Sequence, residues 1–282
     1  MFLSNKLFIR MTLYTLILLP VLQLSNARTS KCQETETKLE KILSACAQYC
    51  DSLKEARLHF TCTEEIEERI YHPFITIRID SFRTYKREVN KYIYDYQLIK
   101  EGDKITERRI LLKEQGKDKY EEDSDLKTQR FDYRFVINGP IGVIDRDWQQ
   151  HFEYKIIGND VINKKRTIVL EACPKSSSPI EHIFGRIWVD SNDFSILKIE
   201  GNQASLGNYE SVKKIAEELN AVPHIKLCSE YFYEKNGIRF PSNYTIEEMY
   251  KSGPRILTKS RLAVTYKDYK FFTVETSVKY GE

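Results

Sequence analysis

Residues Thr37 to Arg57 repeat their apolar positions every three to four residues. Leu39, Ile42, Leu43, Cys46, Cys50 and Leu53 form one stripe, and charged side chains fill the opposite side, which predicts a long amphipathic helix. The period then drops to two. From Leu58 to Ile70 the even positions are Leu58, Phe60, Cys62, Glu64, Ile66, Glu68 and Ile70, a strand with one mostly apolar face. Tyr92, Tyr94, Tyr96 and Leu98 repeat the alternation within Lys91 to Lys100. The turn at Glu101-Gly102-Asp103-Lys104 leads to a return strand over Ile105 to Glu114. Gln115 to Gln129 is polar and highly charged, and is expected to be a mobile loop.

Beyond the Asn138-Gly139-Pro140 break, a short helix is expected with Asp145 as its cap and Trp148 and Phe152 on its inner side. Strands over Tyr154–Ile157 and Arg166–Ala172 flank a turn near Asn163. Gly185–Val189 and Phe194–Glu200 are joined by Asp190-Ser191-Asn192-Asp193, a strong turn signal. Gly207 to Leu219 has a helical stripe of Val212, Ile215, Ala216 and Leu219. Ile225–Glu234 and Ile238–Tyr250 meet at Lys235-Asn236-Gly237, a strong hairpin signal. Arg261–Lys267 and Phe271–Lys279 read as a closing pair around residues 266–270. The pattern predicts roughly ten strands in hairpin order, one long leading helix and two short helices. The expected class is α+β: an antiparallel meander, without the βαβ rhythm of a parallel sheet.

The N-terminus changes this picture. Lys6 and Arg10 precede an apolar run from Met11 to Leu24, followed by the small residues Ser25 and Ala27. That run is short of the ~20 residues that span a bilayer. Residues 1–27 are therefore expected to be a cleaved export signal, leaving 28–282 as a single domain that is periplasmic or secreted and not transmembrane. Loss of Lys6 and Arg10 leaves 42 Lys and Arg against 41 Asp and Glu, an even balance without the clustered basic face that nucleic acid requires. Export implies an oxidising compartment, and six cysteines allow fifteen full pairings. Cys50–Cys62 is the first expectation, with Cys46, one helical turn before Cys50, as a competitor.

Catalytic signatures are missing from the sequence: there is no G-x-S-x-G, H-E-x-x-H, Walker loop or G-x-G-x-x-G. The five histidines have no metal-ligand spacing. Asp190-x-Asn192 resembles the start of a calcium loop, but Phe194 occupies the next ligand position, so a hairpin turn is read instead. Neither a metal nor a cofactor is expected. Glu64/Glu65 and Glu247/Glu248 are adjacent strand residues that point to opposite faces, so neither pair can act on one bond. The remaining chemistry lies in aromatic rows: Tyr92, Tyr94 and Tyr96; Tyr231 and Tyr233; Tyr244, Ile246 and Tyr250. They are either the core beneath the first helix or the wall of an apolar cavity. Strand parity gives the expected lining as Leu39, Ile42, Leu43, Tyr92, Tyr94, Tyr96, Ile187 and Val189.

Three segments resemble the LolA-like family of lipoprotein-sorting carriers. They are Phe184-Gly185-Arg186-Ile187-Trp188-Val189-Asp190 with Phe194-Ser195-Ile196-Leu197-Lys198-Ile199-Glu200; Asn236-Gly237-Ile238-Arg239-Phe240-Pro241-Ser242 running into Tyr244-Thr245-Ile246; and Tyr266-Lys267-Asp268-Tyr269-Lys270-Phe271-Phe272. The resemblance implies a strongly curved, open half-barrel covered by helices, and a carrier or sensor for acyl chains or lipoproteins. An envelope module that binds a protein or glycan on the same sheet is the alternative. No functional residue of the carriers is matched securely enough to transfer.

Overall fold

The computed structural model describes residues 36–56, 59–79, 82–101, 104–176, 183–207 and 209–272. The expected signal segment and Cys32 lie outside the described residues. The chain divides into two units, residues 1–45 and 46–282. In the first, residues 36–45 begin helix α1 (residues 36–55), with Ile42 buried and Leu39 and Leu43 half-buried. Among the described residues no helix is long and apolar enough to cross a membrane.

Among its described residues, the second unit holds the rest of α1 and thirteen strands. They are β1 (His59–Ile79), β2 (Phe82–Glu101), β3 (Lys104–Glu114), β4 (Lys117–Glu121), β5 (Phe152–Ile162), β6 (Lys165–Pro174), β7 (Gly185–Asp190), β8 (Ile196–Gly201), β9 (Val222–Glu230), β10 (Tyr233–Lys235), β11 (Ile238–Phe240), β12 (Asn243–Ser252) and β13 (Arg255–Phe271). Short helices α2 (Gly139–Ile144), α3 (Arg146–Gln149) and α4 (Tyr209–Glu218) complete it. Asp145 caps α3 through its side chain, which accepts from the Trp148 N–H, as its place before the helix predicts. Val212 and Ala216 are the buried face of α4.

Eleven strands make one open antiparallel sheet in the order β4-β3-β2-β1-β13-β12-β9-β8-β7-β6-β5. Two meanders, β1 to β4 and β5 to β13, are thus joined by pairing of the first strand with the last. Residues 266–270 are not the turn their polarity suggested. β13 continues past its last pair with β12 at Thr265 and stays paired with β1 through Phe271, so the chain remains extended there. The irregular residues are absorbed as a register shift opposite Thr61/Thr63, with Asp268 at φ 57°. The expected partner strand beyond Phe272 lies outside the described residues. Asn236-Gly237 does form a tight turn, at φ 53° and 75°, but it closes the separate two-stranded hairpin β10–β11. β9 instead pairs with β12 and β8.

The inner face of the sheet is set by strand parity. Phe60, Cys62, Ile66 and Ile70 of β1 are buried with Tyr92, Tyr94, Tyr96 and Leu98 of β2 and Leu262, Val264 and Tyr266 of β13. The same parity buries Glu64 and Glu68, whereas Glu65 and Glu67 remain at least partly exposed.

Candidate functional site

β4 and β5 are the opposite edges of the sheet, so residues 122–151 must cross all of it. Strands lie about 4.8 Å apart, and ten gaps separate the edges. The crossing segment runs over the inner face, and its backbone must find partners there. The buried carboxylates of the sheet supply them.

Glu68 accepts the backbone N–H groups of Gln129 (3.0 Å) and Arg130 (2.9 Å). Glu248 of β12 takes the Arg130 guanidinium in a two-pronged pair (2.7 and 2.5 Å) and also accepts from Tyr250 and Ser260. Glu64 accepts from Arg109 of β3 (2.7 Å) and from the Tyr133 hydroxyl (3.0 Å). Glu107 accepts from the Tyr96 hydroxyl (2.5 Å) and the Phe135 N–H (2.6 Å). The Tyr94 hydroxyl accepts the Lys127 N–H. The stretch expected as a mobile loop, Gln115–Gln129, is therefore edge strand β4 followed by the start of a pinned strap. Its charged side chains pair with one another and with β3: Lys119 with Glu114, Lys127 with Glu121, and Asp123 with Arg108.

Glu248 and Glu107 respond oppositely to acid. Burial pushes the Glu248 carboxyl up, but hydrogen bonds from Arg130, Tyr250 and Ser260 outweigh it and hold it below the usual glutamate range. Its contribution is present above the unfolded-state pKa, near 4.3, and is lost as pH falls through the lower folded value. Glu107 is raised, chiefly by burial. It favours the fold while protonated, and that contribution fades as pH rises through its folded value. Glu248→Gln is expected to cost about 2 kcal/mol at pH 7. It should also shrink the stability lost between pH 6 and pH 3, both read from urea midpoints. An unchanged acid loss would exclude Glu248 as a strap anchor.

After Tyr133 the strap turns sharply. Phe135 is left-handed at φ 49° and ψ 43°, a conformation that costs a bulky side chain energy and that clusters at functional sites. Gly139 then passes so close to the sheet that a Cβ there would lie 2.3 Å from the Tyr231 hydroxyl. That hydroxyl donates to the Val136 carbonyl at 2.8 Å. Between this corner and β9–β12 is a half-open cavity of about 470 Å³. Its walls include Tyr133, Phe135, Val136, Ile141, Trp148, Ile183, Tyr231 and Tyr244, with Asn138, Ser229 and Arg134 as the polar side chains. The volume lies within the usual 300–1,000 Å³ range of small-ligand sites, and so does the mix of apolar wall and sparse polar groups.

None of the eight side chains expected as lining is on this wall. Tyr92, Tyr94 and Tyr96 are buried on β2, and Ile187 and Val189 on β7 are fully buried. The strap bonds to the Tyr94 hydroxyl and shares Glu107 with Tyr96, so it covers the space these two were expected to border. Leu39, Ile42 and Leu43 belong to the first unit. Of the residues expected in aromatic rows, Tyr231 and Tyr244 do reach the cavity, as does Trp148, which was expected on the inner side of the short helix. Tyr133, Phe135, Asn138 and Ile141 were missed. The available signal was Glu64 and Glu68 on an apolar stripe, which requires a polar segment to cover it.

Cys50 and Cys62 are both free thiols, so the expected bridge is absent. Each has another neighbour: the Cys50 thiol faces the Pro140 carbonyl at 3.7 Å, and Cys62 meets the Tyr269 hydroxyl. Burial raises both thiols, and pushes Cys46 up to about 12, which makes them poor nucleophiles. The Asp190–Asp193 segment is the expected hairpin turn: Asp190 accepts the Asn192 N–H and the Lys165 ammonium. Among the described residues no group of three or more His, Cys, Asp or Glu is placed to hold a metal ion.

No family model matches the sequence, and the search of curated proteins finds no match. Solved structures do resemble it. A LolA superfamily protein from Nitrosomonas europaea is 15% identical, with 82% of this chain and 94% of that chain covered and a TM-score of 0.34. A DUF1329 family protein from Desulfovibrio piger is 11% identical over 84% and 94%, at a TM-score of 0.35. An outer membrane lipoprotein-sorting protein domain from Vibrio parahaemolyticus is 13% identical over 84% and 94%, at 0.36.

Proposed function

We propose that this chain is an exported, non-catalytic carrier or sensor that binds the acyl part of a lipid or lipoprotein, working in the periplasm or outside the cell. The observation that carries this reading is the half-open cavity walled by Phe135, Val136, Ile141, Trp148, Ile183 and Tyr231. An apolar chain entering it gains roughly 0.8 kcal/mol for each buried methylene. The opening lets a polar end stay in water, as reversible carriage of an amphiphile demands.

The test is to narrow the cavity without touching the carboxylate anchors. Ile141→Trp is expected to weaken binding of a fluorescent fatty acid at least tenfold while the melting temperature stays within a few degrees. Unchanged binding would remove this cavity as the acyl site. Native mass spectrometry of the purified protein should, on the same reading, show a co-purifying lipid mass.

A second reading, an envelope module for a protein or glycan partner, draws on a different place. Tyr233, Tyr269 and Phe271 are stacked beside Lys235, and Tyr233 and Phe272 are exposed. A clean mass without lipid, together with loss of partner capture on Tyr233→Ala, would favour it.

A further inference from the structure

Among the described residues, two buried side-chain oxygens have no hydrogen-bond partner: Asn138 Oδ1 and Glu107 Oε2. Both sit beside the left-handed Phe135. Asn138 lines the apolar cavity, and Glu107 lines a neighbouring polar cavity of about 360 Å³. Arg134 and Phe135 border both spaces. Glu107 Oε2 lies 3.6 Å from the Arg109 guanidinium.

The state of Asn138 has a local cause. It occupies the N-cap position of α2, where an asparagine oxygen ordinarily accepts a backbone N–H from the first turn. Here its side chain makes no cap bond. Pro140, two residues on, has no N–H to offer. The oxygen is thus withdrawn from solvent and released from capping, in a residue that lines the mostly apolar cavity. Leaving a buried acceptor unsatisfied is costly, so the group that removes the cost is expected to come with the ligand.

We infer that the cavity selects an amphiphile that carries an N–H or O–H donor next to its apolar chain, which donates to Asn138 Oδ1. Amide-linked and hydroxylated acyl chains share this chemistry, whereas simple ester-linked chains lack it. The inference rests on the acyl reading above, and sharpens it from any chain to a donor-bearing one. Arg134 is exposed and, among the described residues, has the exposed Asp132 as its one ion-pair partner, so it is placed to meet an anionic end outside the cavity.

The experiment compares three twelve-carbon probes in competition with a bound fluorescent fatty acid: dodecanamide, dodecanol and methyl dodecanoate. The amide and alcohol are expected to bind about tenfold more tightly than the ester. The amide-to-alcohol ratio then shows which donor source is preferred. Asn138→Leu should erase the preference by bringing amide and alcohol affinity down to that of the ester. Asn138→Asp, which presents acceptor oxygens in either orientation, should keep it. Equal affinity of all three probes for the native protein would overturn the inference and leave the acyl site standing. A preference that survives in Asn138→Leu would also overturn it, by placing the acceptor elsewhere. Failure of every probe, and of the fluorescent acid itself, would overturn the acyl reading too.

Discussion

Arg109→Met is expected to lower the stability of the protein by about 3–5 kcal/mol, seen as a fall in the urea midpoint at an unchanged slope. Arg109 is buried on β3, and its partner Glu64 on β1 is completely buried. Its guanidinium lies between the Tyr96 and Tyr133 rings, 5.1 and 5.6 Å from their centroids. Methionine keeps the apolar stem but leaves the Glu64 carboxylate with the Tyr133 hydroxyl alone. A charge stranded in a dry interior costs more than the pair itself is worth, so the double variant Glu64→Gln/Arg109→Met should recover most of the loss. If the single variant costs less than 1 kcal/mol, the pair does not hold the sheet's inner face. Tyr133 walls the cavity, so the single variant should also weaken acyl binding, and the double variant should restore it.

The second large effect is expected at the other end of the sheet. Arg239→Met should cost about 3 kcal/mol and strip hydrogen-exchange protection from residues 233–240. Arg239 is buried on the β10–β11 hairpin. It donates to Ser195 Oγ and to Asp193 (3.3 Å), reaches Glu234 (3.2 Å) and lies 3.6 Å from the fully buried Asp190. Its backbone N–H meets the Tyr49 hydroxyl of α1. One guanidinium thus ties a hairpin outside the main sheet to the β7–β8 turn and to a helix. Arg239→Lys retains the charge but not the planar fork, so an intermediate loss is expected. Full protection of residues 233–240 in the methionine variant would show that aromatic packing alone holds the hairpin.

These two arginines also mark where local reading reached and where it stopped. Arg239 lies in the Asn236–Ser242 segment and Asp190 in the 184–200 hairpin, both of which carry the family resemblance, and both turns form as their residues predict. Their proximity could not be read from either segment. Arg109 and Glu64 lie 45 positions apart, and Arg130 and Glu248 lie 118 apart. The Asn138-Gly139-Pro140 break was legible as a break. Its use as the corner of a cavity follows from the Tyr231 hydroxyl, 95 positions from Val136 in the chain. The row of Tyr92, Tyr94 and Tyr96 was correctly placed on one face, but parity alone does not say what covers that face.

By itself, the sequence determined what depends on neighbours within a few residues: the amphipathic helix of residues 36–55, the alternation that buries one face of each strand, the Asp145 cap and the tight turns. Periodicity and turn chemistry act over those distances, so they are written locally. The tertiary structure alone decided that the first and last strands pair, and hence that β4 and β5 become opposite edges. From that follow the strap, its anchoring on Glu64, Glu68 and Glu248, and the displacement of the open volume from the tyrosine row of β2 to the corner at Phe135. The reason is geometric: a segment joining opposite edges must cross the sheet, and buried charges on that face are tolerable only where the crossing chain satisfies them.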